Sequence, residues 1–193
     1  MAKNDIRLWR APKELHIGWF PIAASAACVA GEPVRLNTGG ELVEATTDWA
    51  TGNDFLGILM ASGDTVGATD ANGSFRWLTG AFTPGTGFPV ANDLVPVILP
   101  SPDTFFYTLN YGATSAAFGA TPAKTNVGDG GSLELISGSW GFVQDGVQNH
   151  RIMHVLDANL NDIAFSGGTG VGVVFVITSG QTMAEAVNTD ADA

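Results

Sequence analysis

The chain has 193 residues, 45% of them hydrophobic, with 25 glycines, 9 prolines and one cysteine, and its 19 acidic against 8 basic residues give a formal net charge of −11. That length and apolar content allow a substantial buried core, while a lone thiol, Cys28, rules out an intrachain disulfide. A surface of this sign repels phosphate backbones, so no nucleic acid is expected as a partner.

The first fourteen residues differ from the rest. Lys3, Arg7, Arg10 and Lys13 are four of the eight basic residues, they stand beside Trp9 and Pro12, and only Asp5 and Glu14 oppose them. The segment 1–14 reads as an extended arm able to lie on an acidic surface, with a frayed terminus as the plain alternative. On the arm reading, its removal leaves the fold intact.

Next comes an uncharged stretch, 15–31, which holds His16, Pro21 and many alanines and makes a poor membrane span and a poor signal-peptide core. No membrane partner is expected, and synthesis in a host cytoplasm is. Within it, Leu15, Ile17 and Trp19 alternate as in a strand, and Ala23 to Ala30 is a weak helix candidate. Turn clusters follow at Asn37-Thr38-Gly39-Gly40 and Asp70-Ala71-Asn72-Gly73, with an apolar strand from Phe55 to Ala61 and a two-residue period at Phe75 and Trp77. Pro96 and Pro100 bracket Val97, Ile98 and Leu99, and since proline donates nothing to a ladder, this strand is expected at an edge or a bulge.

The alternation Phe105, Tyr107, Leu109, Tyr111 predicts one aromatic face. After turns at Gly128–Gly131 come a strand over Arg151 to Leu156 and a glycine run at 166–170. In Val171 to Ile177, Val171, Val173, Phe175 and Ile177 alternate with Gly172, Val174 and Val176, so the strand is apolar on both faces and is read as central or as a self-association strand. Gln181 to Asn188 is a second weak helix candidate, inside a flexible tail 181–193. The fold class expected is all-β, with small barrel or sandwich modules at 15–100 and 101–180 behind the N-terminal arm.

The modules read as related copies. Gly31-Glu-Pro-Val-Arg-Leu-Asn37 with Gly39-Gly40 and Trp49 matches Gly119 to Asn126 with Gly130-Gly131 and Trp140, and Asp70-Ala-Asn72 matches Asp157-Ala-Asn159, at a nearly constant offset of about 90 residues.

Chemical motifs are sparse. His150 and His154, four apart on an expected strand, stand about 13 Å apart at the usual rise, too far to share one zinc unaided. Asp157-Ala-Asn-Leu-Asn161-Asp162 begins like a calcium loop, but the sixth-position glycine and the closing glutamate are missing, which favours an Asx-rich turn. There is no Gly-x-Ser-x-Gly elbow, and Gly167 to Gly170 opens a strand where a phosphate loop would open a helix. No catalytic residue, metal or cofactor is expected. Of Trp9, Trp19, Trp49, Trp77 and Trp140, most are expected in the core, Trp9 with its charged neighbours being the exception.

Val29-Ala-Gly31-Glu-Pro-Val-Arg-Leu36, Gly39-Gly-Glu-Leu-Val-Glu-Ala45 and Phe55-Leu-Gly-Ile-Leu-Met60, with Ile163 to Phe175, resemble the small β-domains of tailed-bacteriophage head decoration, or capsid cement, proteins. The resemblance, over about residues 15–180 and in pattern and composition, implies a non-catalytic protein on the outer surface of a virion. It would bind the major capsid protein, stabilise the shell and assemble with itself, commonly as a homotrimer. Lys3, Arg7, Trp9, Arg10 and Lys13 would then grip the capsid, and Val171, Val173, Phe175 and Ile177 would serve self-association. Alternatives are a carbohydrate-binding or adhesin module, another virion part such as a tail or head-fibre protein, and, least supported, an enzyme.

Overall fold

The computed structural model describes residues 6–10, 16–24, 26, 28, 31–45, 55–59, 94–101, 103–145, 150–163 and 168–177. Among these the structure is all-β. Twelve strands are β1 (Arg7–Arg10), β2 (Ile17–Pro21), β3 (Pro33–Leu36), β4 (Leu42–Glu44), β5 (Gly57–Leu59), β6 (Leu94–Ile98), β7 (Phe105–Thr108), β8 (Tyr111–Gly112), β9 (Gly130–Ile136), β10 (Ser139–Val143), β11 (His150–Leu156) and β12 (Gly172–Ile177), with a single 3-10 turn at Lys124–Asn126. No described residue of the alanine-rich 23–30 stretch is helical. The Phe75 and Trp77 run, Asp70–Asn72, Trp49 and the tail 181–193 lie outside the described residues.

The strands form two sheets, one in each of two units. In the first unit, residues 6–10 join 101–177, and the strand order is β1-β7-β12-β11-β9-β10-β8. This corrects the picture of a separate arm. Arg7 pairs with Tyr107, Leu8 with Phe106 and Arg10 with Phe105, with a bulge between Leu8 and Arg10. Ile6, just ahead of the strand, is 1% exposed. Deleting the first fourteen residues therefore strips an edge strand and a core residue from the first unit.

The sheet of the first unit curls. Leu109 and Asn110 join β7 to β8, so one bent segment lies beside β12 at one end of the order and beside β10 at the other. Asn110 holds the corner: its Nδ2 donates to the Trp140 carbonyl at 2.8 Å, and its own carbonyl accepts from Phe142 N at 2.9 Å. Gly141 is required there, since a Cβ would stand 2.4 Å from the Asn110 oxygen. β10 and β12 are third neighbours, roughly 14 Å apart in a flat sheet, yet the Phe142 and Phe175 ring centroids are 5.4 Å apart. Phe106 stacks on Phe175 at 6.0 Å and Tyr111 on Phe142 at 6.5 Å, completing an aromatic row inside the curl.

The second unit comprises the described residues within 16–45, 55–59 and 94–100, with strand order β2-β6-β5-β3-β4. Its two end strands meet: Ile22, following β2, bridges Leu42 on β4, and Ala23 N donates to the Leu42 carbonyl at 3.0 Å. Val34, Leu42, Ile58, Leu59, Val95, Val97 and Ile98 form its core, with Cys28 fully buried among the apolar residues. β6 is interior, not the edge strand expected from its prolines. Pro96 pairs with Trp19 on β2.

Among the described residues, the first parts of the two repeat copies differ in structure. Pro33–Leu36 is a strand, but its partner segment carries the 3-10 turn, where Asn126 Oδ1 accepts from Ala123 N at 2.7 Å and holds the chain bent. Gly39 and Gly40 lie in the β3–β4 loop, whereas Gly130 and Gly131 begin β9. A different pair of loops is alike. Asn37 Oδ1 accepts from Gly39 N and Glu41 N, both at 2.9 Å, and Asp157 Oδ1 accepts from Asn159 N and Asn161 N at 2.8 and 2.9 Å. In both, the fourth residue is left-handed, Gly40 at φ 77° and Leu160 at φ 63°.

Candidate functional site

Of the arm residues, Arg7, Trp9 and Arg10 lie on β1, at the edge of the first unit's sheet. Arg7 is exposed, and Trp9 is half-buried, edge-on to Tyr107 with centroids 5.6 Å apart and planes at 74°. Arg10 enters the ladder opposite Phe105. Lys3 and Lys13 lie outside the described residues. Cations on an edge strand also discourage like strands from adding there, since a second copy would bring arginine against arginine.

The expected self-association strand is an interior strand of its own chain. β12 pairs with β7 on one side and β11 on the other, and Val173, Phe175 and Ile177 are buried. Val171 alone of the four is exposed, just before the strand. The curl supplies Phe106 and Phe142 around Phe175.

Along 105–111 the buried positions are Phe106, Thr108 and, on β8, Tyr111. Phe106 and Thr108 are fully buried, while Phe105 and Tyr107 are half-buried and Leu109 is exposed. Among the tryptophans, Trp140 is buried as expected, but Trp19 is 47% exposed on β2, with Ile17 and, on β6, Leu94 also exposed.

Polar groups gather in three clusters within the first unit. Lys124, with a buried side chain, places Nζ 2.6 Å from Asp162 Oδ1, and His154 Nδ1 lies 3.0 Å from Asp162 Oδ2. Burial pushes the Asp162 carboxyl up, but the hydrogen bonds and charges of Lys124 and His154 together outweigh it and hold the group below its ordinary value. In the second cluster the Tyr111 hydroxyl donates to Gln144 Oε1, Gln144 Nε2 donates to Asp129 Oδ2 at 2.7 Å, and Asn126 Nδ2 reaches both acceptors. Burial, then Asp129, raises the Tyr111 pKa. In the third, the buried Ser132 hydroxyl lies 2.6 Å from Asp145 Oδ2 and 3.2 Å from Glu134 Oε1, which also accepts from Ser115.

These clusters tie loops to strands. Ser132 is fully buried, its hydroxyl held by the Asp145 and Glu134 carboxylates. His150, enclosed by Phe142 and Phe175, is held neutral. The Asp157 loop is an Asx turn whose Oδ1 already accepts two backbone amides. Among the described residues no group of three or more His, Cys, Asp or Glu side chains is placed to hold a metal ion. The Lys124–Asp162 pair, 38 residues apart, had no signal in the sequence beyond a lone cation in a stretch without acids.

No family model matches the chain, and no curated protein or solved structure matches it.

Proposed function

We propose that the chain is a structural, non-catalytic virion protein that binds the outer surface of an assembled capsid through the major capsid protein and stabilises it. The observation that carries this reading is the placement of a basic strand, Arg7–Arg10, at the sheet edge of an otherwise acidic all-β chain. Half of all the basic residues lie within the first fourteen positions, so attraction to an acidic surface concentrates at one end of the chain. Self-assembly into a trimer would multiply a weak grip, since linked sites gain roughly 10²–10⁴ in avidity.

The test is co-sedimentation of the full chain with undecorated shells, with light scattering for the mass in solution. Because β1 belongs to the sheet, the variant is K3Q/R7Q/K13Q and not a truncation. The expected result is saturable binding by the parent and at least a tenfold loss in the variant, with unchanged circular dichroism. Equal binding by both removes the basic strand from the mechanism, and no binding by the parent removes the capsid reading.

A further inference from the structure

We draw no further inference here: the strongest candidate, the exposed apolar patch of Ile17 and Trp19 on β2 with Leu94 on the adjoining β6, carries none because nothing in the structure shows what covers it.

Discussion

Lys124 and Asp162 are bonded at 2.6 Å, but their side chains are 7% and 41% exposed, and this asymmetry predicts which partner is expensive to lose. In Asp162→Asn the ammonium keeps its buried position and faces a neutral amide. Removing one partner of a wholly buried pair costs about 3–5 kcal/mol, and because water reaches the Asp162 side, about 2 kcal/mol is expected here. In Lys124→Met the buried stem is kept and the desolvated charge disappears, while Asp162 retains His154 and solvent, so the change stays within about 1 kcal/mol. The double variant should recover most of the Asp162→Asn loss. Urea unfolding at pH 7, compared at equal slope, measures all three. Lys124→Met costing more than Asp162→Asn would refute the reasoning. The pH dependence has a definite sign. A carboxyl held below its unfolded value of 3.8 adds stability that is present above that pH and is lost as pH falls through the folded value. The gap between parent and Asp162→Asn should therefore close in that acid range.

Two further outcomes follow from local geometry. Ser137 at φ 52° and Gly138 at φ 77° join β9 to β10 in a two-residue left-handed turn, so Ser137→Asn should gain about 0.5 kcal/mol and Ser137→Val lose about 1 kcal/mol, read as opposite shifts in thermal midpoint. Within the second unit, residues 16 and 99 are neighbours, since Leu99 N donates to the His16 carbonyl at 2.9 Å. Residues 16–100 expressed alone should melt cooperatively with a strand-type circular dichroism spectrum, and a non-cooperative, disordered fragment would show that the unit depends on the rest of the chain.

Several elements of the fold are legible in the sequence. The two-residue alternation marked β2, β7 and β12 as strands, because side chains on an extended backbone must alternate. The Asx residues at 37 and 157 marked their turns, because a short side-chain oxygen reaches the amides two and four residues on. The sequence also shows half of the basic residues gathered at one end of the chain. Alternation cannot say which face is inside: Phe106 and Thr108 are buried, and Phe105 and Tyr107 are not, because the first pair is on the face of β7 where Phe106 stacks on Phe175. Nor could it pair β1 with β7, join Lys124 to Asp162 or enclose His150 between Phe142 and Phe175. Those contacts join residues far apart in the chain, and their energy exists only once packing has excluded water from between them. The sequence by itself determined strands, turns and the uneven charge, which depend on neighbours along the chain; the tertiary structure decided burial, pairing and closure, which depend on neighbours in space.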